Sequence, residues 1–282
     1  MIDPHLAQRI PCERGYIPPK PEILLALHEL LKDRQPDIIA VADLVSHDVG
    51  LASAVLRNVN SAYFGMKRRV SDIRQAAVLL GVGKLSNLVS AYEMRRALSG
   101  DSCITHQRFW DEAADVAEVC AWAARLAQSE VPAEDAFAVG LFHDCGIPIM
   151  ATCFDDYAAF LKVSNNKPGS LAEMEFERYE VSHPLVGYKL THSWGLPSLI
   201  CNSVLQHHEK DLWSHVLERE ERQVMAILKV ADNTVDLHRR GKPSTDWEWH
   251  REAACETLRI PPERYDEFAE ELLQKWRMDG AA

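Results

Sequence analysis

The sequence predicts an all-α protein built as two helical lobes. Apolar residues recur at three- and four-residue intervals in almost every segment, and no long alternating run of apolar and polar residues, typical of a sheet, occurs. A polar break divides the chain at residues 99–105. With 282 residues, of which 47% are hydrophobic, the chain can bury a sizeable core. We expect an N-terminal lobe over residues 17–100 and a second lobe from about residue 105.

The N-terminal lobe is predicted to be a run of short helices. In "PEILLALHELLKD" the apolar residues keep helical spacing after Pro21, a residue suited to a helix start. "PDIIAVADLVSHD" repeats the pattern, and Asp48 can cap "VGLASAVLRNVNS". Ser71 can cap "DIRQAAVLLG", for which Gly81 is a suitable end, and "KLSNLVSAYEMRRAL" follows. We expect this lobe to bury Leu51, Val55, Leu56, Ile73, Ala77 and Leu80.

The second lobe is predicted to contain longer helices. One runs from Phe109 to about Gln128, and "VPAEDAFAVGLFHDCG" begins a second after Pro132. The segments "DDYAAFLKVSNN", "SLAEMEFERYEVS", "HPLVGYKLTHSW" and "SLICNSVLQHHEK" follow with helical periodicity. In residues 212–282 we expect the helices "REERQVMAILKVADNTVDLHRR" and "PPERYDEFAEELLQKWRMDG" to complete this lobe, with "GKPSTDWEW" as a loop between them. Trp110, Trp122 and Trp194 are predicted core residues.

Composition and charge exclude several classes of protein. The longest apolar runs are shorter than the roughly 20 residues that a membrane span needs, and the N-terminus lacks the apolar stretch of a signal peptide. The seven cysteines are scattered without a CxxC pair, which is typical of reduced thiols in the cytoplasm. A net charge of -11 with only short basic clusters argues against nucleic-acid binding. We therefore expect a soluble, cytoplasmic protein.

Histidine and aspartate side chains are concentrated in the second lobe, at helix ends or on helical segments. Imidazole and carboxylate groups are ligands for Zn, Fe, Mn or Ni. Any one of these residues, taken alone, is more often a hydrogen-bonded core residue, and Asp144 could simply cap the turn at Gly146. Their order along successive helices, His-Asp, His, His-His and Asp, favours a common site. The residues are His143, Asp144, His183, His207, His208 and Asp232.

Several longer motifs accompany this constellation in a characteristic order. "NSAYFG" is followed by "SDIRQAAVLLG", and later come "AFAVGLFHDCG" and "HPLVGYKLTHSWGLPSLICNSVLQHH". In this order the chain resembles the HD-related output domain, or HDOD, family of the HD superfamily of metal-dependent phosphohydrolases. The resemblance covers residues 17–211, with an N-terminal lobe over 17–100 and an HD-like lobe over 105–211. It implies an all-helical, two-lobed fold in which residues 212–282 complete the second lobe.

The sequence departs from the HD enzymes at positions that matter for catalysis. The resemblance places Glu112 where those enzymes carry their first histidine, and the nearest histidine, His106, lies upstream. Ile147 occupies the position of the lysine that follows "HDIG" in the related cyclic-di-GMP phosphodiesterases, and no "GYP" follows the paired histidines. The cations nearest in sequence are Lys189 and Lys210, and neither is a strong replacement.

We therefore interpret the chain as a bacterial signal-transduction module with a degenerate metal site. It would act mainly by binding a signalling protein partner or a small ligand. The alternative is a metal-dependent phosphohydrolase acting on a nucleotide or cyclic dinucleotide. The metal in either case would be a divalent ion such as Fe, Mn, Zn, Ni or Mg. The candidate ligands are His143, Asp144, His183, His207, His208, Asp232 and Glu112.

Overall fold

The architecture of the chain is all-α, as the sequence predicts. A computed structural model describes residues 17–33, 35–61, 69–99, 102–167, 169–214 and 218–279. Over these ranges the regular structure consists of helices, with no strand. The chain folds into two compact units, which separate between residues 99 and 100.

The N-terminal unit contains five short helices in its described residues. Three of them begin at an aspartate whose carboxylate accepts backbone N–H groups: Asp37, Asp48 and Asp72. The predicted cap Ser71 is therefore wrong by one residue, because Asp72 accepts the N–H of Arg74. Gly81 ends its helix with a φ of 78°, a left-handed conformation that favours glycine. The helices are α1 (Glu22–Leu31), α2 (Ile38–Ser46), α3 (Val49–Val59), α4 (Ile73–Leu80) and α5 (Val82–Ala97).

The core of this unit agrees closely with the sequence pattern. Five of the six residues expected inside are buried, and Leu56 is half-buried. Asn60 explains part of the "NSAYFG" motif, because its side-chain amide exchanges two hydrogen bonds of 2.7 Å with the backbone of Val70. These bonds tie the end of α3 to the chain entering α4. The remainder of the motif, residues 62–65, lies outside the described residues.

The second unit is a longer series of helices in which α6 (His106–Leu126) and α7 (Ala133–Phe142) pack along each other and α13 (Arg219–Arg240) packs on both. α14 begins at Trp247, so the predicted loop "GKPSTDWEW" ends earlier than expected. Trp110 and Trp194 are buried, whereas Trp122 is half-buried. The helices are α6 (His106–Leu126), α7 (Ala133–Phe142), α8 (Ile147–Cys153), α9 (Tyr157–Ser164), α10 (Leu171–Tyr179), α11 (His183–Trp194), α12 (Ser198–Gln206), α13 (Arg219–Arg240), α14 (Trp247–Thr257) and α15 (Tyr265–Asp279).

The most apolar part of this unit is the segment formed by α7 and α8. Ala133–Cys153 is long and apolar enough to cross a membrane, but 78% of its most apolar window is buried inside the protein. α7 in addition packs against α6, α12 and α13. The segment is therefore explained as the central helices of a folded unit.

Gly146 lets the turn between α7 and α8 contact the start of α11. A Cβ atom at this position would lie 2.0 Å from the carbonyl oxygen of His183 and 2.8 Å from the backbone nitrogen of Gly187. Both neighbours are backbone atoms, which cannot move without shifting α11. Because Gly146 has no side chain, the His143-Asp144 turn can lie directly against the first turn of α11.

We expect Gly146→Ala to destabilise the protein by about 1–3 kcal/mol or more, because the methyl group would overpack a contact between two backbones. The measurement is urea unfolding followed by circular dichroism. Gly83→Ala is the matched control, because a Cβ there has no atom within 4 Å and lies in a helix. It should be neutral or stabilising by up to about 1 kcal/mol. Equal stability of the two variants would contradict the proposed close contact.

Candidate metal site

The candidate ligands are placed by the ends of helices. His143 ends α7, His183 is the first residue of α11, and His207 ends α12. At a helix end a side chain can turn away from the helix axis toward a neighbouring element. The structure brings together six of the seven residues named from the sequence: His143, Asp144, His183, His207, His208 and Asp232.

The carboxylate of Asp144 is the centre of this cluster. Its Oδ1 lies 3.2 Å from Nε2 of both His183 and His207, and its Oδ2 lies 3.1 Å from Nε2 of His143. Asp232 Oδ1 is 3.7 Å from the same His143 nitrogen. The side chain of Asp144 therefore binds the imidazoles, and only its backbone carbonyl bonds to the turn before α8, where it accepts the N–H of Ile147.

Four of these residues present one donor atom each to a common point. The ligand atoms of Asp144, His183, His207 and His208 all lie within 4.8 Å of one another. We call these four residues the ligand cluster. Three imidazole nitrogens and one carboxylate oxygen form a donor set suited to borderline divalent ions such as Zn, Fe, Mn or Ni.

Backbone carbonyls hold two of the imidazole rings from behind. His143 Nδ1 lies 2.6 Å from the carbonyl oxygen of Gly140, and His207 Nδ1 lies 2.8 Å from that of Val204. Each acceptor is three residues earlier in the chain, on the helix that the histidine ends. The helix itself therefore orients the ring.

Buried carboxylates hold the other two rings. His183 Nδ1 lies 2.7 Å from Oε2 of Glu175, a fully buried residue that also accepts the backbone N–H of His183 and the hydroxyl of Tyr157. His208 Nδ1 lies 2.9 Å from Oδ2 of Asp246. Carboxylates in this position fix the ring and raise the basicity of a metal-binding histidine.

The outer contacts of the four rings have one consequence in common. Every Nδ1 is matched with an oxygen acceptor, so every Nδ1 carries a proton and donates it outward. The lone pair of each Nε2 is then available on the inner side, once any proton on that atom has left. A random group of buried histidines would not divide its nitrogens in this way.

The pKa values of the rings depend on burial and on the carboxylates beside them, chiefly Asp144 and Glu175. Burial alone would lower the pKa of His143, but the charge and hydrogen bond of Asp144, together with Asp232 and the carbonyl of Gly140, outweigh it and raise that pKa to about 9. Burial also opposes the charged form of His183, whose pKa is nevertheless raised to about 10 by Glu175 and Asp144. Burial and the adjacent His208 hold the pKa of His207 well below its usual range. Without a bound cation, the rings of His143 and His183 are therefore protonated at neutral pH.

Thiolate chemistry does not belong to this site. Cys145 follows Asp144 directly, but burial raises the pKa of its thiol far above the ordinary value. Its Sγ points to the carbonyl oxygen of Gly187, at 3.9 Å. The donor set is therefore nitrogen and oxygen.

A cavity of about 650 Å³ opens beside the cluster. His143, Asp144, His208 and Asp232 line one part of it, and the side chains of Asp144 and Asp232 are 27% and 21% exposed. Apolar residues of α6, α8, α9 and α13 form much of its wall. The charged residues that line it are four cations, Arg108, Lys162, Arg240 and Lys242, and five acids, Glu112, Asp144, Asp232, Asp236 and Asp246.

Glu112 lines the same cavity but is engaged elsewhere. Its carboxylate forms an ion pair with Arg240, which also pairs with Asp236 one turn earlier on α13. Glu112 is also absent from the group of residues whose donor atoms converge. The structure therefore gives no support to Glu112 as a substitute for the missing histidine, and the ion pair is the physical reason. The upstream His106 contacts Ser102 and does not line the cavity.

Sequence reasoning missed the groups that surround the cluster. Glu175 and Asp246 lie 8 and 38 residues from the histidines they contact, so nothing local indicates the pairing. The cations of the cavity are equally remote from the His143-Asp144 pair along the chain. The two lysines considered from the sequence are not among the lining residues, and Lys210 lies over the ring of Trp249 instead. The sequence gives a local hint for one further charged residue near the cluster, Lys229, because it precedes Asp232 by one helical turn on α13.

Comparison with known proteins identifies the family. Residues 17–210, more than half of the chain, match the HDOD domain. The chain belongs to the HDOD family. An uncharacterized protein of Treponema pallidum (strain Nichols) is 25% identical to this HDOD chain over 195 residues, which are 68% of the chain and 37% of that longer protein. The HDOD chain thus spans well under half of this relative.

Solved structures share the fold of the HDOD chain at low sequence identity. A protein of Shewanella amazonensis SB2B, named as a candidate phosphohydrolase, has a TM-score of 0.67 at 21% identity, with 93% of both chains covered. An HDOD domain protein of unknown function from Geobacter sulfurreducens has a TM-score of 0.60 at 20% identity, covering 93% of this chain and 97% of its own. A protein of Marinobacter aquaeolei VT8, named as a candidate signal transduction protein, has a TM-score of 0.64 at 19% identity, covering 94% and 58%.

We expect metal binding to the HDOD chain to release protons. The pKa values of about 9 for His143 and about 10 for His183 mean that both rings are protonated at neutral pH when no cation is present. An ion held by His183 must displace its Nε2 proton, and the charge of the ion opposes the proton on the adjoining His143, so up to about two protons should leave per ion at pH 7, and affinity should rise between pH 6 and 9. Titration calorimetry in buffers of different ionisation enthalpy measures both effects. An affinity that does not change over this range would contradict the assignment.

Paired variants test which acid of the HDOD chain contacts the ion. Asp144→Asn should weaken Mn²⁺ or Zn²⁺ binding by at least about 100-fold, because it removes the charge shared by three rings. Glu112→Gln is the matched control and should leave affinity nearly unchanged, since its carboxylate serves Arg240. Equilibrium dialysis with metal analysis gives both values. A loss of comparable size in the Glu112 variant would restore Glu112 as a ligand.

Proposed function

We propose that this chain is a regulatory HDOD module that holds one divalent metal ion and binds a small anionic ligand beside it. The ion would be held by Asp144, His183, His207 and His208, with His143 and Asp232 adjoining. When bound, the ion would act as a Lewis acid and give the ligand a positive anchor. Fe, Mn, Zn or Ni fits the nitrogen-rich donor set better than Mg does.

One observation carries the metal assignment. All four imidazoles have an oxygen acceptor for Nδ1, and each can therefore present Nε2 on the inner side. Buried polar groups with complete outer contacts are expensive to assemble, and such contacts are typical of metal-binding histidines. A purely structural core would be served equally well by apolar residues.

The cavity supports an anionic ligand. The side chains of Arg108 and Lys162 have no hydrogen-bonding or ion-pair partner among the described residues. Among the described residues, Lys242 bonds only to neutral oxygens, the backbone carbonyl of Asn165 at 2.6 Å and the side chain of Asn166 at 2.8 Å. These three positive charges are uncompensated by direct contacts and face a cavity that also reaches the cluster. A ligand with a phosphate or carboxylate group would satisfy them.

We place the module in the cytoplasm of a bacterium and propose that ligand binding changes its contact with a signalling protein. The scattered cysteines and the bacterial sources of the similar proteins support this placement. The relative from Marinobacter aquaeolei VT8, named as a candidate signal transduction protein, supports the regulatory role.

A metal-dependent phosphohydrolase is the second candidate, and the cations of the cavity favour it specifically. They could stabilise charge on a phosphate, as phosphoryl transfer requires. Against it stand the engaged Glu112, the isoleucine at position 147 and the absence of the "GYP" segment in the sequence. We therefore rank ligand binding above turnover.

We expect the untagged protein, purified without chelators, to contain about one equivalent of a transition metal.

The metal-loaded protein should bind inorganic phosphate more weakly after Lys162→Met, because one uncompensated charge is lost, whereas Lys210→Met, outside the cavity, should have no effect. Elemental analysis and titration calorimetry are the measurements. A protein that neither contains nor acquires metal would exclude this function.

We expect little hydrolysis of bis(4-nitrophenyl) phosphate or of cyclic dinucleotides with added Mn²⁺, Fe²⁺ or Ni²⁺. Without the first histidine of the HD enzymes and without a lysine at position 147, the site can bind an anion but lacks efficient charge stabilisation in the transition state. Turnover of about 1 per second or faster, abolished by Asp144→Ala, would establish the phosphohydrolase instead.

A further inference from the structure

A buried ion pair lies next to His208 of the ligand cluster. Lys229 on α13 is fully buried, and its Nζ lies 2.6 Å from Oδ2 of Asp246, which is only 2% exposed. Removing two charges from water carries a large desolvation cost, and apolar residues of similar volume often give equal or greater stability. Stability alone therefore does not account for this pair.

Asp246 stands at the N-cap of α14 but does not cap the helix. An aspartate at this position commonly accepts the backbone N–H of one of the next three residues. The side chain of Asp246 makes no such bond. Its Oδ2 instead accepts from Lys229 and lies 2.9 Å from Nδ1 of His208. The local helix thus forgoes a favourable contact, and the carboxylate is directed to the cluster.

His208 is the member of the cluster that most needs an external anchor. It follows His207 directly, so the backbone that orients one ring does not orient the other in the same way. His207 is fixed by the carbonyl oxygen of Val204. The side chain of His208 is 12% exposed and lines the cavity, while those of His183 and His207 are 0% exposed. The carboxylate of Asp246 is the acceptor that contacts the outer nitrogen of His208.

We propose that Lys229 and Asp246 are a positioning pair that fixes the ring of His208 and so sets the metal affinity of the site. Lys229 donates a short hydrogen bond that fixes the carboxylate of Asp246. This carboxylate accepts Nδ1–H of His208, so that Nε2 of the ring faces inward. The nearby His250 does not fix the carboxylate of Asp246 in place of Lys229, because its Nδ1 accepts the indole N–H of Trp213 and its Nε2 is 3.9 Å from Asp246. This inference rests on the proposed metal site.

α13 connects the pair to the rest of the cluster. It carries Lys229 and, one turn later, Asp232, which lies 3.7 Å from His143. The same helix therefore carries both Asp232, which lies beside His143, and Lys229, which binds Asp246. A displacement of α13 would change both sides of the site together.

Two double variants separate positioning from charge and from folding. Lys229→Met with Asp246→Asn removes both charges but keeps an oxygen that can accept Nδ1–H. Lys229→Met with Asp246→Leu removes both charges and the acceptor. Neither variant leaves an unpaired buried ion, which a single substitution would do. Lys229→Met with Asp246→Ala is a further variant without an acceptor, in case leucine prevents folding.

The readouts are Co²⁺ and Zn²⁺ affinity by calorimetry, the visible absorption of bound Co²⁺, and urea unfolding of the metal-free protein. The variants without the acceptor should bind about 10–100-fold more weakly than the asparagine variant and should show an altered Co²⁺ spectrum. With His208→Ala added, the difference between the acceptor and non-acceptor variants should vanish. A structural role alone would leave that difference in place.

The outcomes distinguish this inference from the proposed function. If the wild-type protein binds neither ion, the metal site fails and the positioning pair fails with it. If the wild type binds both ions, but the asparagine and non-acceptor variants match each other in affinity and Co²⁺ spectrum, the positioning pair is overturned and the metal site stands. A difference that persists in the His208→Ala background also overturns it.

Discussion

The contact of one carboxylate with three imidazoles is the constraint on which the second unit depends. Asp144 reaches His143, His183 and His207 at 3.1–3.2 Å. Burial opposes the protonated forms of His143 and His183, so the raised pKa values of these two rings require a negative charge among them. The turn that carries Asp144 must therefore lie against the start of α11, and the side chain missing at position 146 permits that approach. This one contact therefore joins the end of α7, the start of α11 and the end of α12.

The cost of burying these groups is offset by complete hydrogen bonding on the outer side. Backbone carbonyls serve His143 and His207, whereas Glu175 and Asp246 serve His183 and His208. A half-satisfied polar network is less stable than an apolar core, so each outer acceptor is required once the inner nitrogens are committed. The arrangement in which each Nδ1 faces an outer oxygen and each Nε2 faces inward is thus produced by the whole network and not by any single ring.

The helices could be predicted from local patterns, whereas the cluster is predicted from the order of its residues along successive helices and from the resemblance to the HD superfamily. Helical periodicity identifies the elements, and histidines at helix ends mark side chains that can leave the helix axis. Asp72 displaces the expected cap Ser71 because adjacent residues of similar capping strength cannot be ranked from sequence. Pairings over long separations, such as Asp246 with His208 and Arg240 with Glu112, have no local signal. They decide which acids serve the cluster and which do not.

The charge arrangement in the cavity separates binding from efficient turnover. Arg240, the cation that engages Glu112, is already neutralised by that residue and by Asp236. Lys242 is held by oxygens of Asn165 and Asn166, so moving it toward a reacting group would break two hydrogen bonds. Fixed charges that attract a ligand in its ground state lower the barrier only if they interact more strongly with the transition state. Of the four cavity cations, Arg240 and Lys242 are therefore held by the protein and are poorly placed to follow charge that develops on a reacting group, whereas Arg108 and Lys162 remain available to attract an anion.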